Sequence, residues 1–123
     1  MSLSTVAKGR EAEALVRAHL ESRGWLVVAH NWRAGRLELD LVAESGQLLV
    51  FIEVKRRNED AVFDPRAALR PAQRRRLVTA SRLFLDRHPA WRAHYCRFDV
   101  VFVIRETKGG TRLEHVENAY QAA

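Results

Sequence analysis

The sequence predicts a single mixed α/β domain over residues 1–123, and three observations support this prediction. Two segments have the helical spacing of apolar residues, and four or five shorter segments are apolar or alternate with period two. Their order is helix, three strands, helix, then one or two strands, which is typical of an αβββαβ core with a mixed central sheet flanked by helices. A chain of 123 residues is also long enough for one hydrophobic core and short for two.

Local signals bound the two predicted helices. The first is predicted from about Ser4 to Arg23, because Gly24 is the residue type that helices favour just beyond their last turn. The second is predicted to begin at Pro71, since proline suits the first turn of a helix, and to continue to about Arg87. The pair His88-Pro89 then ends it, because a proline disfavours helical geometry in the residue before it.

The strands are predicted from alternation and from apolar runs bounded by turn residues. The predicted ranges are Trp25–Asn31, Arg36–Ala43, Leu48–Lys55, Arg97–Ile104 and a short last strand near Arg112–Val116. The range 97–104 is apolar enough to be buried on both faces, which places it inside the sheet. We expect Asp99 within it to have a structural hydrogen-bonding role, and Cys96 before it to be a buried apolar residue.

The charge of the chain is basic. Lys plus Arg number 21 against 15 Asp plus Glu, a formal net charge of +6, and arginine supplies nearly all of the cations. The planar guanidinium binds phosphate oxygens in pairs, so an arginine-rich surface is typical of nucleic-acid contact. The alternative is a soluble basic protein with no polyanionic partner.

The composition favours a cytoplasmic location. A single cysteine cannot form an internal disulfide or a cysteine-based zinc site. Residues 1–13 lack the apolar centre of a signal peptide, and no segment approaches the roughly 18 apolar residues of a membrane span. We therefore expect no membrane partner.

Carboxylates gather where the second and third strands meet. A hairpin centred on Ser45-Gly46 would place Glu38 opposite Glu53, with Asp40 diagonal to Glu53. Side chains alternate along each strand, so one face is predicted to be a core and the other to carry the charges. The core face is Leu37, Leu39, Leu41, Val50, Ile52 and Val54. The charged face is Glu38, Asp40, Val42, Leu49, Phe51, Glu53 and Lys55.

Two interpretations of the acidic cluster remain open from the hairpin alone. If the cluster is solvated, the repulsion among three acids and one lysine destabilises the fold little, and the cluster does not indicate a functional site. If a helix covers it, the acids need a cation, and magnesium is bound by one or two carboxylates together with waters and substrate phosphates. Glu13 adds to the second interpretation, because it falls on the stripe of Val16 and Leu20 in the first helix. Its alternative is an ion pair with Arg17 at the edge of that stripe.

An ordered set of motifs resembles a known family. The set comprises the helix with Glu13, Gly24-Trp25, Asn31-x-Arg33, ELDLVA at 38–43, FIEVKRR at 51–57, RFDVV at 97–101 and Asn118-Ala119-Tyr120. It resembles the YraN-like family of uncharacterised bacterial proteins, within the PD-(D/E)xK nuclease superfamily and related to archaeal Holliday-junction resolvases. The chain departs from the family pattern at Ala12 and Leu37, where glycine is usual, and at Gln73, where many members have lysine.

The resemblance implies a restriction-endonuclease-like fold and roles for individual residues. Asp40 and Glu53 would bind Mg²⁺ or Mn²⁺, one or two ions, together with the carbonyl oxygen of Val54. Lys55 would orient or deprotonate the attacking water, and Glu13 would bind metal through water or hold the geometry of the site. Glu38 would support these ligands from behind. Branched or single-stranded DNA would be the partner, and a homodimer would match the resolvases.

Arginines are the expected substrate contacts. They flank the acidic motifs and lead into the second helix, and they are Arg33, Arg36, Arg56, Arg57, Arg66, Arg70, Arg74 and Arg75. Contacts of this kind to phosphates give affinity without sequence specificity. For the run Arg74–Arg76, the alternative is a solvated helix face.

Three functions follow, in order of preference. The first is a metal-dependent endonuclease-like protein that acts on structured or single-stranded DNA by phosphodiester hydrolysis. The second is a nucleic-acid-binding module of the same fold that turns over little or nothing. The third is a protein-interaction adaptor whose basic face docks an acidic partner.

Overall fold

The helices and strands occur in the predicted order in the computed structural model, which describes residues 5–61, 64 and 67–122. The elements are α1 Thr5–Ser22, β1 Leu26–Ala34, β2 Leu37–Ser45, β3 Leu48–Asn58, α2 Pro71–Arg87, β4 Tyr95–Arg105 and β5 Thr111–Tyr120. The strands form one sheet in the order β1-β2-β3-β4-β5, with β3 and β4 parallel and the other neighbours antiparallel. The mixed sheet flanked by helices is confirmed. Among the described residues, no helix is long and apolar enough to span a membrane.

The end of α1 follows from its sequence. Gly24 has a φ of 81°, a left-handed conformation that costs glycine little. The N–H of Trp25 donates to the Leu20 carbonyl at 3.0 Å and the N–H of Gly24 donates to the Glu21 carbonyl at 3.0 Å. These two bonds form a Schellman motif, and Trp25 and Leu20 both belong to the core beneath α1. The predicted stop at Gly24 is confirmed; the predicted start at Ser4 lies outside the described residues.

The two helices cover opposite faces of the sheet. Val16 and Leu20 of α1 pack with Leu41, Val50 and Ile52. Residues of α2 pack on the other face in a cluster that includes Leu77, Phe84, Val42, Leu49, Phe51, Phe98 and Phe102. Alternating residues of β3 therefore enter different cores, as period-two alternation requires. Residues 98–104 of β4 are all buried, which confirms its predicted central position.

The second helix begins at Pro71 and ends at Arg87, as predicted. Arg70 before it has an extended backbone, and no side chain caps the first turn. Cys96, by contrast, is exposed near the start of β4, so the prediction that it is buried is wrong. Burial in β4 becomes continuous only from Phe98, and Cys96 lines an open cavity beside α2.

Asp99 is fully buried in β4 and its hydrogen-bonding capacity is used by three neighbours. Arg97 donates from Nε and Nη2 at 2.9 and 3.0 Å, His115 contacts it through Nε2 at 2.8 Å, and the N–H of Asn118 donates at 2.9 Å. Asn118 has a φ of 51° at an irregularity in the β4–β5 pairing. The carboxylate thus closes a gap in the ladder, which confirms the structural role predicted for Asp99.

The register of the β2–β3 hairpin differs from the predicted one. Ser45 pairs with Leu48 and Leu41 pairs with Ile52, so the turn is Gly46-Gln47 and the pairing is shifted by two residues. The reason is the backbone of Gly46, whose φ of 59° suits the first central position of a two-residue hairpin loop. The shift preserves the faces of β3, but it brings Asp40 rather than Glu38 to the level of Glu53.

We expect Gly46→Ala to destabilise the fold by about 1 kcal/mol, because alanine is strained at positive φ while no atom lies within 4 Å of the added Cβ. Urea unfolding checks this. Gly9→Ala is the matched control, since Gly9 lies within α1 with the same open space around its Cβ. Alanine favours helix there, so the control is expected to be neutral or stabilising. Equal destabilisation by both substitutions would contradict the argument from Gly46.

Candidate active site

Asp40 marks the point where β2 separates from β3. Its Oδ2 atom accepts a hydrogen bond from the backbone N–H of Val54 at 2.9 Å. The β2–β3 ladder ends at Leu41 and Ile52, so the carboxylate supplies the acceptor that a continuing strand would have provided. Asp40 is therefore fixed against β3 beside Glu53.

The separation of the strands also changes where β2 packs. Leu41 lies in the core beneath α1, whereas Leu39 and Leu37 contact the core beneath α2. The predicted single core face through Leu37, Leu39 and Leu41 is therefore wrong. Alternation fails at Asp40 because this residue leaves the ladder, and the strand before it turns toward α2 together with Trp32.

Asp40 and Glu53 form a partly buried acidic pair. Burial, reinforced by the negative charge of Asp40, raises the pKa of Glu53 to about 9. Burial also raises the pKa of Asp40, although hydrogen bonds from the Val54 N–H and from Glu53 oppose this effect. A hydrogen bond between the two carboxyl groups lowers the pKa of Asp40 and raises that of Glu53. Carboxyl groups with pKa values perturbed by burial and by each other are candidates for a functional site.

Lys55 lies at the edge of the pair. Its Nζ atom is 3.9 Å from Oε1 of Glu53, and the side chains of Lys55 and Glu53 are 20% and 13% exposed. Both side chains point to the same side of β3, since they are two residues apart on one strand. The amine thus lies beside the acidic pair and is partly open to solvent.

Glu13 reaches the same region from α1. Burial is the main cause that raises its pKa, and the carboxylates of Asp40 and Glu38 raise it further, while a hydrogen bond with Asn31 lowers it. Arg17, the alternative partner of Glu13, instead donates to Glu21 at 2.8 Å. Glu13 is therefore directed at the acidic residues of β2. Asn31, at a φ of 49°, is the residue through which β1 holds it.

A cleft of about 200 Å³ opens beside the pair. It is lined by Arg36, Leu37, Glu38, Asp40, Glu53, Gln73, Arg76 and Leu77. Glu38 forms one wall, and its Oε1 atom lies 3.6 Å from Nη2 of Arg33. Gln73 and Arg76 come from the first turns of α2, three residues apart and so on one face of the helix.

The other predicted arginines lie in varied settings. Arg74 donates from Nε to the Leu69 carbonyl at 3.0 Å, and Arg57 donates to the Arg56 carbonyl at 2.7 Å. Arg56, Arg70 and Arg75 are exposed, while Arg66 lies outside the described residues. Sequence reasoning missed Arg76 as a cleft residue; its spacing from Gln73 was the available signal.

The donor set fits a hard divalent cation. Among the residues that the structure describes, no three His, Cys, Asp or Glu side chains meet closely enough to form a metal site on their own. Two adjacent carboxylates are, however, the protein share that magnesium uses when waters and phosphate oxygens complete its coordination. Burial raises the pKa of both Asp40 and Glu53, an effect that a bound cation would oppose.

Comparison with known proteins identifies the family. A family model described as "Uncharacterised protein family UPF0102" matches residues 12–103. The chain belongs to the UPF0102 family. The matched range contains Glu13, Glu38, Asp40, Glu53 and Lys55, so every acidic residue of the site falls within the part that defines UPF0102 proteins.

Individual UPF0102 proteins are similar to this chain over most of its own length. One from Ectopseudomonas mendocina (strain ymp) is 40% identical over 114 residues, covering 93% of this chain and 94% of the relative. One from Nitratidesulfovibrio vulgaris (strain DP4) is 41% identical over 115 residues, covering 93% and 84%. One from Oleidesulfovibrio alaskensis is 42% identical over 103 residues, and the chain spans 50% of its length. The family part of the resemblance is confirmed; the relation of UPF0102 proteins to PD-(D/E)xK nucleases stays a prediction.

Proposed function

We propose that the chain is a magnesium- or manganese-dependent endonuclease-like protein that hydrolyses phosphodiester bonds in structured or single-stranded DNA. The observation that carries this proposal is the pair Asp40 and Glu53, partly buried side by side with a lysine amine 3.9 Å from Glu53. A structural ion pair has no need for a second carboxylate in the same place. The αβββαβ arrangement and the ordered motifs that resemble PD-(D/E)xK nucleases support the same proposal.

The residues have separable tasks in this reaction. Asp40 and Glu53 would hold the ion, with the Val54 carbonyl as the further ligand that the resemblance implies. A bound divalent ion supplies charge to the phosphate oxygens and lowers the pKa of bound water. Lys55 orients the attacking water, whose oxygen forms a bond to phosphorus as the bond from phosphorus to a sugar oxygen breaks. Glu13, through Asn31, fixes α1 and β1 around the acidic residues.

Metal binding is expected to release a proton. Because the pKa of Glu53 is raised to about 9, the metal-free pair holds a proton at neutral pH that a metal ligand must lose. Affinity for Mn²⁺ should therefore increase with pH up to about 9. The free energy of unfolding should rise by about 2.7 kcal/mol when the Mn²⁺ concentration is a hundred times its dissociation constant. Isothermal titration calorimetry in buffers of different ionisation enthalpy measures the number of protons released on Mn²⁺ binding.

The control for this measurement is Glu53→Gln, which removes the titrating ligand and should remove both the proton release and the stabilisation. Glu114→Gln, an exposed carboxylate of β5, should leave both unchanged. Stabilisation by Mn²⁺ that is equal in all three proteins would place the ion elsewhere and contradict the site.

One observation favours a binding module that turns over little. Gln73, a neutral residue, lines the cleft where the family pattern usually has a lysine, so one cation is absent beside the acidic pair. A cleavage screen separates the two functions. Four-way junctions, flaps, single strands and duplexes are incubated with magnesium and with manganese, and binding to each substrate is measured in parallel. If the protein binds the substrates in a salt-dependent way but cleaves none of them, the binding module is the better description.

A further inference from the structure

Two arginines meet at the cleft although they are far apart in sequence. Arg36 lies in the turn between β1 and β2, and Arg76 lies on α2; both are exposed and both line the cleft with Glu38, Asp40 and Glu53. Within the part of the chain that the structure describes, neither forms a hydrogen bond or an ion pair. Each guanidinium carries five N–H donors, so the two arginines bring ten donors to the lining of a cleft that also contains carboxylates.

The helix selects one arginine from the run 74–76. Gln73, Arg76 and Leu77 share a face at spacings of three and four residues, and all three line the cleft. Arg74 is held by the Leu69 carbonyl. Arg76 is therefore placed by helix geometry and by the burial of Leu77 next to it, which anchors this face of α2 on the core.

The size of the cleft limits what it can accept. Its volume of about 200 Å³ is below the range of about 300–1,000 Å³ that is common for sites that enclose a small molecule. A cleft of this size accepts one charged group of a larger molecule. Guanidinium forks bind phosphate oxygens in a bidentate manner, so a tetrahedral phosphate is the group that two of them match.

We propose that Arg36 and Arg76 bind the non-bridging oxygens of one and the same backbone phosphate, which they hold against Asp40 and Glu53. The proposal rests on the proposed function, because it takes the substrate to be a nucleic-acid strand. It adds that recognition at this site is made to the backbone and carries no base sequence, since the guanidiniums address phosphate.

The test uses the salt dependence of strand binding. Arg36→Gln, Arg76→Gln and the double variant are made in a Lys55→Ala background, so that the strand is not cut, and a fluorescein-labelled oligothymidylate is titrated between roughly 50 and 200 mM salt. Each single variant should bind about tenfold more weakly. The slope of log affinity against log salt should barely change in either single variant and should fall by about 0.7 in the double variant, since only then is one phosphate left without a cation.

Arg82→Gln is the matched control, because Arg82 is an exposed arginine of the same helix that lines a different cavity. Losses of affinity no larger than that of Arg82→Gln would overturn the phosphate site. If the slope of log affinity against log salt falls by about 0.7 in each single variant and by about 1.4 in the double variant, the two arginines bind separate phosphates. That result would overturn the proposal that they bind the same phosphate. Thermal unfolding of each variant confirms that an exposed substitution leaves the fold intact.

Failure of this inference is distinguishable from failure of the proposed function. Suppose that wild-type protein cuts a strand with manganese, while the arginine variants bind the strand as tightly as the Lys55→Ala parent. The proposed phosphate site is then wrong and the proposed nuclease activity is supported. If no substrate is cut but the predicted changes in salt-dependence slope are found, the phosphate site is supported and the proposed nuclease activity is wrong.

Discussion

Glu53→Gln is expected to reduce phosphodiester cleavage by about a thousandfold or more while leaving the metal-free protein at least as stable as wild type. Under the proposed function Glu53 holds the metal ion, so its loss would remove charge stabilisation of the transition state and with it the activity. The stability follows from the pKa of Glu53, which burial and Asp40 raise to about 9, because glutamine reproduces the neutral form that the folded protein already prefers.

The difference in stability between Glu53→Gln and wild type should depend on pH. A carboxyl whose folded pKa is raised binds its proton more tightly in the folded state, so wild-type stability declines as pH rises from the ordinary value of 4.5 toward 9. Glutamine does not titrate. The stability of Glu53→Gln relative to wild type should therefore increase across this window, by at most about 1.4 kcal/mol per pH unit.

Urea unfolding from pH 5 to 9 without metal, combined with cleavage assays in manganese, measures both quantities. Lys55→Ala should also lose activity, since the amine that orients water is gone. Glu114→Gln is the control, as an exposed carboxylate on β5 outside the site. Cleavage retained by both Glu53→Gln and Lys55→Ala would end the enzyme hypothesis. Activity lost together with stability would mean that Glu53 is structural.

Asp99→Asn is expected to destabilise the protein by about 3 kcal/mol. The fully buried carboxylate accepts hydrogen bonds from Arg97, His115 and the N–H of Asn118. Removal of its charge takes away the buried ionic partner of Arg97, which keeps only the exposed Glu117 at 3.3 Å. Nη1 of Arg23 lies 3.2 Å from Nδ1 of His115, so the loss also loosens the contact between β5 and the end of α1.

The matched control is Asp86→Asn. Asp86 lies 3.7 Å from Nη2 of Arg92 with its side chain 72% exposed, and exposed ion pairs contribute about 0 to 1 kcal/mol. Urea unfolding midpoints at constant slope compare the two variants. Equal effects of the two substitutions would contradict the role of burial at Asp99.

The effect of Asp99 should also fade in acid. Burial alone would raise the pKa of Asp99, but the hydrogen bonds from His115, Arg97 and Asn118 outweigh it and lower the pKa below the ordinary value of 3.8. A lowered pKa gives stability that is fully present above 3.8 and is lost as pH falls through the folded value. The difference between wild type and Asp99→Asn should therefore be constant from pH 5 to 7 and shrink below about pH 3.8.

Features set by neighbours in the chain could be predicted from the sequence. The bounds of α2 at Pro71 and Arg87 and the stop of α1 at Gly24 were correct, because proline and glycine constrain the backbone locally. The stripe of Glu13, Val16 and Leu20 was also correct, since helical spacing alone decides which residues share a face. The buried strand β4 followed from its apolar run.

Features that depend on contacts between distant segments were decided by the tertiary structure alone. A pattern of period two permits registers that differ by two residues, and only the turn at Gly46 selected the one that brings Asp40 beside Glu53. The bond from Val54 to Asp40, the shift of Leu39 to the other core and the arrival of Arg76 at the cleft all require β2, β3 and α2 to be in place. The sequence by itself thus determined the helix ends and the buried strand and nominated the residues of the candidate site. Packing determined which of those residues meet, because side-chain contacts across a fold are set by long-range geometry that no local spacing encodes.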